Sequence, residues 1–289
     1  WFKRGLARLH RKIVVIDRRL AFLGGLNIND DLVSDDNDHV PLPSPRWDFA
    51  ISISGPLVDS LHVEVAALWA RLQPQGLRRR LQNFRQQYAT RLKPLQEVAQ
   101  AALVVRDNLR NRHAIQRAFL QALGHAHHEA WLVTPYFAPG RKLRKALMHA
   151  AERGVSVTLL IGVGQFRLQD AVAQSFYPRL LNAGIQIIEY RKTQLHAKVA
   201  VIDALWSTVG SSNFDGLSLF VNHEANIIVR DEEFARILHD AIIQGVHEGV
   251  PVLLDQVKKY SWTRRVFNRF AYLMYKSIFQ IVSAGRYTK

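Results

Sequence analysis

Two stretches of the sequence repeat the same chemically active residue types at the same spacing. Each begins with a histidine and continues in the pattern H-x-K-x4-D-x6-G-x2-N. The first copy consists of His10, Lys12, Asp17, Gly24 and Asn27, and the second of His196, Lys198, Asp203, Gly210 and Asn213. Imidazoles can attack or exchange protons, and ammonium and amide groups can hold anionic oxygens. Brought together, the two copies would form a pocket with two bases and several hydrogen-bond donors.

The spacing also indicates how the chain must position these groups. A histidine and a lysine two residues apart point from the same face of a β-strand, and the apolar residues that follow suit a strand buried on both sides. Asp17 and Asp203 have the opposite parity and fall at the strand end, so we expect them to serve the architecture more than the chemistry. A pattern that occurs twice indicates a duplicated unit, and we expect a pseudo-twofold axis between the copies.

Two further acids stand in matching places downstream of the copies. Asp48 and Glu224 each open an apolar stretch. A catalytic imidazole needs an acceptor that fixes its tautomer and orientation. Asp48 and Glu224 are therefore the candidates for orienting His10 and His196.

Composition excludes cysteine chemistry and indicates what kind of partner the protein binds. The chain has 289 residues, no cysteine, and 39 Lys and Arg against 24 Asp and Glu, which gives a formal net charge of +15. The lack of cysteine excludes disulfides, thiolate nucleophiles and cysteine-bound zinc. Such a basic chain is expected to bind polyanions, either nucleic acid or an anionic membrane, and composition alone does not choose between them.

The order of apolar and polar stretches predicts an α/β protein. Between residues 106 and 255, strands alternate with helices, as in a sheet covered on both faces. Helices are predicted at 108–126, 142–152 and 171–181, and strands at 130–133, 155–161 and 185–189. The predicted domains are a first half with linker helices over 1–105, a second half over 106–255 and a tail over 256–289.

Basic residues are concentrated in two places. Residues 71–93 contain seven Lys and Arg and no acid, which fits either a solvated helix face or a binding surface. Residues 256–289 contain eight Lys and Arg, interleaved with eight aromatic residues. Aromatic rings alternating with cationic side chains are typical of segments at a membrane surface, so the tail is predicted to contact an anionic membrane.

On these residues the chain resembles the phospholipase D superfamily and, within it, the bacterial cardiolipin synthases of the B type. The resemblance covers roughly residues 9–62 and 106–240. It is carried by the doubled motif together with Trp47-Asp48, the stretch 136–140 and the stretches that follow the second motif. It implies an α/β/α sandwich of two similar halves, chemistry that needs neither metal nor cofactor, and a phosphohistidine intermediate.

The resemblance also implies roles and partners. His10 would be the nucleophile and His196 the acid and base, with the lysines and asparagines of the motifs holding phosphoryl oxygens. The expected activity is transfer of a phosphatidyl group to make cardiolipin from phosphatidylglycerol. The expected location is peripheral, on the cytoplasmic side of the bacterial inner membrane, with no nucleic-acid partner. Two alternatives stay open: a hydrolase of phospholipid or nucleic acid, and an inactive, truncated membrane-binding homologue.

The two halves differ in length before their motifs. About 90 residues of the second half precede His196, whereas nine residues precede His10. By the logic of the repeat, the opening strands and helices of the first half are expected to be missing from this chain. We expect such a shortened half to leave apolar sheet surface uncovered.

Overall fold

The computed structural model describes residues 8–34, 40–72, 100–107 and 111–284. Nearly all of the basic run at 71–93, much of the predicted linker and the last five residues of the tail lie outside these ranges.

The described chain forms a mixed α/β structure, which confirms the predicted fold class. The strands are β1 (Lys12–Ile16), β2 (Leu20–Gly24), β3 (Ala50–Ser54), β4 (Ala101–Arg106), β5 (Glu129–Thr134), β6 (Phe137–Ala138), β7 (Ser156–Gly162), β8 (Gln186–Tyr190), β9 (Val199–Ile202), β10 (Trp206–Gly210), β11 (Phe214–Asp215), β12 (Glu224–Arg230) and β13 (Val250–Pro251). The helices are α1 (Leu57–Leu72), α2 (Ala114–Gly124), α3 (Arg141–Glu152), α4 (Arg167–Gln174), α5 (Tyr177–Asn182), α6 (Gly216–Phe220), α7 (Glu232–His247), α8 (Leu254–Lys258) and α9 (Trp262–Ala284). Eight strands form one sheet in the order β13-β8-β7-β5-β9-β10-β12-β4, and β1-β2-β3 form a second.

The sequence repeat is also a structural repeat. In the first half, β1, β2 and β3 pair antiparallel in that order, with Lys12 opposite Gly24 and Gly24 opposite Ala50. In the second half, β9, β10 and β12 pair in the same way, and Gly210 lies opposite Asn226. Each motif therefore supplies the first two strands of an antiparallel three-strand unit.

The repeated glycines are required by close backbone approach. A Cβ atom on Gly24 would lie 2.2 Å from the carbonyl oxygen of Phe49. One on Gly210 would lie 2.2 Å from the side chain of Asn226. Any other residue would push the third strand of its unit away from the second.

The core lies on both faces of the large sheet. One face packs under helices that include α2, α3, α4 and α5, and the other packs against α7. The small sheet and α1 pack on β12, through a cluster that includes Leu23, Ile53 and Ile227. The first half is thereby joined to the second through an apolar interface.

The outer face of the first half differs from its counterpart. Ala200 and Ile202 on β9 are buried beneath the helices. The equivalent residues of β1, Val14 and Ile16, are 47% and 46% exposed. The described residues thus leave these two apolar side chains of the small sheet partly exposed.

Two helix predictions need correction. The helix predicted at 171–181 is interrupted at Ser175 and Phe176, so that α4 ends at Gln174 and α5 begins at Tyr177. Pro178 explains the break, because proline lacks an N–H donor and is tolerated only in the first turn of a helix. The helix predicted at 108–126 is shorter than expected, and its described part is α2.

None of the described helices is long and apolar enough to cross a bilayer. The longest, α9, has 23 residues and lies within the predicted tail.

The motif aspartates close the two equivalent hairpins. Asp17 and Asp203 have φ of 49° and 52°, and the residue after each also has positive φ, as a type I′ turn requires. The Asp203 carboxylate accepts hydrogen bonds from the backbone N–H groups of His127, His128 and Glu129, at 2.8, 2.8 and 3.0 Å. Burial acts to raise the pKa of Asp203, but these hydrogen bonds outweigh it and the pKa is lowered. Asp203 therefore anchors the start of β5.

This contact predicts unequal effects of two matched substitutions. Asp203→Ala should lower the free energy of unfolding by about 2 kcal/mol more than Asp17→Ala, because hydrogen bonds to a charged acceptor contribute about that much. Both substitutions place alanine at positive φ, so the backbone cost cancels in the comparison. Denaturant unfolding of the two variants measures the difference. Because the carboxylate has a lowered pKa when folded, the difference should narrow as the pH falls through that pKa. Equal destabilisation at neutral pH would contradict this role.

Candidate active site

His10 is held in place by the second half of the chain. Leu9 forms a parallel bridge with His223, and the backbone N–H of His10 donates to the carbonyl of His223 at 3.0 Å. The Nδ1 atom of the His10 ring lies 3.0 Å from Oε2 of Glu224. The residue that orients the first histidine therefore follows directly on its backbone partner.

His196 is held by equivalent contacts with the first half. Leu195 forms a parallel bridge with Trp47, and the backbone N–H of His196 donates to the Trp47 carbonyl at 2.9 Å. The Nδ1 atom of His196 lies 2.6 Å from Oδ2 of Asp48. The pseudo-twofold expected from the sequence is thus expressed in the backbone, and the carboxylates are exchanged between halves.

The exchanged carboxylates determine which nitrogen of each imidazole carries the proton. A carboxylate on Nδ1 favours the tautomer that carries its proton there, and this leaves the Nε2 lone pair available. The side chains of Asp48 and Glu224 are 1% and 0% exposed, whereas that of His10 is 27% exposed and that of His196 6%. Each imidazole therefore has a buried anion behind it that can stabilise a positive ring.

Different residues contact the two carboxylates, and the sequence patterns did not predict these contacts. Ser211 donates its hydroxyl to Oε2 of Glu224 at 2.5 Å. Gly25 holds the equivalent place in the first half, where a Cβ atom would lie 2.2 Å from the Asp48 carboxylate. The longer glutamate thus gains a hydroxyl donor, and the aspartate packs against a bare backbone. Alignment of the two repeats would have revealed this pair.

The lysines lie beside the histidines, as expected for one face of a strand. Lys12 donates to the carbonyl oxygen of His10 at 2.9 Å, and Lys198 donates to the carbonyl oxygen of His196. Lys198 is buried, with 2% exposure. The two ammonium groups therefore place positive charge close to both rings.

The asparagines of the motifs are not equivalent. Asn213 is buried, and its Oδ1 atom has no hydrogen-bond partner among the described residues. Asn27 is exposed in the loop after β2, and the described contacts do not join it to either histidine.

The motif aspartates lie away from the rings. Seven residues of extended chain separate His196 from Asp203, or about 20 Å at the rise of a strand. The same spacing separates Asp17 from His10. Both aspartates lie in the distal turns, and the Asp203 carboxylate joins its turn to the start of β5.

Charged groups from both halves act on the pKa of His196. Burial is the largest cause that lowers the pKa of His196, followed by the charge of Lys198, and Lys12 of the other half adds to it. The hydrogen bond and the charge of Asp48 act in the opposite direction. The net lowering favours the neutral ring, which is the form that can attack an electrophile or accept a proton.

Asp215 is a second residue that the sequence patterns did not single out. It follows Asn213 and Phe214 on β11, and burial, the largest cause, raises its pKa to about 6. The charges of Glu224 and His10 also act on this pKa, which places Asp215 near the first histidine. Its Oδ1 accepts the backbone N–H of Ser218 at 2.6 Å.

Arg11 links the two halves next to the site. Its guanidinium donates to the carbonyl oxygens of Glu224 and Arg106 and forms an ion pair with Glu64 at 3.1 Å. Because Arg11 lies between His10 and Lys12, this contact holds the first motif against β12.

Other histidines and acids do not extend the site. Among the described residues, no group of three or more His, Asp and Glu side chains is arranged to hold a metal ion. His127 and His128 contribute their backbone N–H groups to Asp203.

The arrangement predicts how the His196 ring should titrate. In the wild-type protein His196 should titrate below its ordinary value of 6.5. Asp48→Asn should lower this pKa further, because it removes the negative charge that favours the protonated ring. NMR titration of the histidine ring protons measures both values. Glu224→Gln, which changes the partner of the other histidine, is the control and should leave the His196 titration in place. A wild-type value at or above 6.5 would contradict the burial argument.

Comparisons with known proteins agree with this geometry. A family described as "Cardiolipin synthase, PLD-like domain" matches residues 119–245. Cardiolipin synthase B of Salmonella typhi is 41% identical over 241 residues, which are 83% of this chain and 55% of that protein. Cardiolipin synthase B of Escherichia coli strain K12 is 40% identical over 235 residues, covering 81% of this chain and 54% of that protein. The chain spans about half the length of these curated relatives.

A solved structure gives the same result for the fold. Phosphatidylserine synthase of Haemophilus influenzae superimposes with a TM-score of 0.66 over 96% of this chain and 71% of that chain, at 13% sequence identity. The doubled motif, the exchanged carboxylates and these similarities lead to one conclusion. Over residues 119–245 the chain matches the PLD-like domain family and, in sequence, it is similar to the cardiolipin synthases of the B type.

Proposed function

We propose that the protein makes cardiolipin by transferring a phosphatidyl group from one phosphatidylglycerol molecule to another. The observation that carries the proposal is the pair of histidines, each backed by a buried carboxylate from the other half. Such a pair supplies two imidazoles with their Nε2 atoms available, one for attack on phosphorus and one for proton transfer. The similarity to cardiolipin synthases supports the choice of substrate.

In the first step, Nε2 of His10 attacks the phosphorus of phosphatidylglycerol. The bond between phosphorus and the headgroup glycerol oxygen breaks, and the leaving oxygen takes the Nε2 proton of His196. Glycerol departs, and the phosphatidyl group stays on His10 as a phosphoramidate. Lys12 and Lys198 offset the negative charge on the phosphoryl oxygens, and the amide of Asn213 donates a hydrogen bond to one of them.

In the second step, the neutral His196 removes a proton from the headgroup hydroxyl of a second phosphatidylglycerol. The hydroxyl oxygen attacks phosphorus, and the bond to His10 breaks. The products are cardiolipin and the free enzyme, with His196 again protonated. Water in place of the second lipid would give phosphatidic acid, so the same intermediate would serve a hydrolase.

The lowered pKa of His196 affects whether this ring is protonated when the first step begins. His196 must carry a proton to serve the first leaving group, yet burial and the two lysines favour the neutral ring. A bound phosphodiester brings a negative charge beside the ring, which favours the protonated form. Substrate binding thereby favours the protonated His196 that the first step needs.

The protein would work peripherally, on the cytoplasmic face of the bacterial inner membrane. Helix α9 exposes large apolar side chains to solvent, with Trp262 at 75%, Phe270 at 60% and Ile281 at 73%. Exposed aromatic and aliphatic groups on a basic helix suit the boundary between headgroups and acyl chains. Tyr275 of α9 accepts the backbone N–H of Gly216 at 2.8 Å, so the helix is anchored directly after β11. A bilayer docked on α9 would therefore lie near the segment that carries Asn213.

The reaction predicts specific losses in the full protein. His10→Ala and His196→Ala should each abolish conversion of phosphatidylglycerol to cardiolipin and glycerol, because nucleophile and proton donor act in one sequence. Lipid products are resolved by chromatography, and the phosphoramidate is trapped at alkaline pH and located by mass spectrometry. The adduct is expected on His10, and a chelator should leave the rate unchanged. Asp17→Asn, in the distal turn, is the control variant and should retain activity.

Other outcomes would change the proposal in defined ways. An adduct on His196 would reverse the two roles. Phosphatidic acid as the sole product would make the protein a hydrolase, and cleavage of an oligonucleotide instead of lipid would make it a nuclease. Full activity in a double histidine variant would contradict the mechanism itself.

A further inference from the structure

A pocket of about 490 Å³ lies apart from the histidines, where the first half of α9 packs beside α4, α5 and α8. Phe176, Tyr260 and Tyr272 contribute aromatic rings to its wall. None of the residues that bind or orient the two imidazoles lines it. Its volume falls in the range of small-ligand sites, which is about 300–1,000 Å³.

The lining of this pocket is strongly cationic. It contains five basic residues and no acidic one: Arg144, Arg179, Lys258, Arg265 and Arg269. Among the described residues, none of the five forms an ion pair with a carboxylate. Clustered like charges repel one another, so an anion bound among them would be stabilised.

Some of these cations are already fixed in place. The guanidinium of Arg144 lies over the Phe176 ring, 5.1 Å from its centroid, and that of Arg265 donates to the carbonyl of Lys258. Arg265 and Arg269 are one helical turn apart on α9, so they lie on the same side of the helix. Fixed cations on two sides of a cavity lose little conformational entropy when they bind an anion.

A buried polar side chain adds a neutral donor. Asn268 lines the pocket and is 5% exposed. Its side-chain amide makes no hydrogen bond with the described residues. This amide can therefore donate to an oxygen of a ligand in the pocket.

The surface next to the pocket indicates what kind of anion would enter. On α9, Trp262, Val266 and Phe270 follow one another at intervals of four residues and are 75%, 57% and 60% exposed. This apolar strip runs alongside the row formed by Arg265 and Arg269. An amphiphile with an anionic head and apolar chains would contact both surfaces at once.

We propose that this pocket binds the headgroup of an anionic phospholipid, as a second lipid site separate from the catalytic histidines. The proposal rests on the membrane association in the proposed function and adds a specific contact to it. The phosphodiester lies among Arg179, Arg269 and Lys258, Asn268 donates to one of its oxygens, and the acyl chains lie along the apolar strip of α9. The lipid thereby anchors α9 to the bilayer.

The test compares two double variants with the same change in net charge. Arg179→Gln with Arg269→Gln removes two pocket cations, and Arg19→Gln with Arg230→Gln removes two exposed cations elsewhere. Sedimentation of the full protein with phosphatidylglycerol–phosphatidylcholine vesicles measures the affinity. The pocket variant should bind about 30-fold more weakly than wild type, since each cation close to an anionic surface contributes a factor of about five. The control variant should bind like wild type, and Arg179→Lys with Arg269→Lys should restore most of the affinity.

Two further measurements separate the explanations. Glycerophosphoglycerol, the soluble headgroup, should compete with vesicles for the wild-type protein and not for the pocket variant. Turnover of short-chain, monomeric phosphatidylglycerol should be unchanged in the pocket variant, which also shows that it is folded. Wild type that makes no cardiolipin from this lipid would refute the proposed function and leave the vesicle result intact.

The inference is overturned by any of three results. The first is wild-type affinity of the pocket variant for the vesicles. The second is an equal loss of affinity in the two double variants, which would indicate a diffuse charge effect. An oligonucleotide that displaces vesicles from wild type and not from the pocket variant would assign the pocket to nucleic acid instead.

Discussion

The interaction on which the rest of the structure depends is the exchange of carboxylates between the two halves. Glu224 of the second half holds the ring of His10, and Asp48 of the first holds that of His196. The backbone bridges that precede each pair fix the strands in the positions these contacts require. Neither half contains a complete histidine–carboxylate pair, because each supplies a histidine without the anion that orients it.

Burial makes this exchange an energetic constraint as well as a geometric one. The two carboxylates are almost completely removed from water, so each needs a partner to offset the loss of hydration. Removing one member of such a pair costs about 3–5 kcal/mol, because the other charge is left buried and unpaired. Separation of the halves would break both pairs and expose the apolar interface between the small sheet and β12. Stability and the proposed catalysis therefore depend on the same contacts.

The sequence predicts much of this arrangement, and the features that it does not predict depend on how distant segments dock and on local chemistry. The repeat predicts which residue types meet, and strand periodicity places His10 and Lys12 on one face. Spacing along the chain does not show which acid faces which ring, because that depends on how two separate units dock. The role of Ser211 depends on the extra methylene of Glu224. The helix break before Pro178 comes from local proline chemistry, which overrides the helical periodicity. The pocket beside α9 brings together segments about 90 residues apart, such as Arg179 and Arg269.

The central claim, that one phosphoryl group contacts both histidines, is tested most directly by a crystal structure with orthovanadate. Vanadate adopts the five-coordinate geometry of phosphoryl transfer and forms a bond to an attacking nitrogen. The account predicts vanadium bonded to Nε2 of one histidine, with an axial oxygen within hydrogen-bonding distance of Nε2 of the other. Asp48 and Glu224 should remain on the two Nδ1 atoms. Vanadate bound to one ring with the second imidazole turned away, or with the carboxylates detached, would contradict the account.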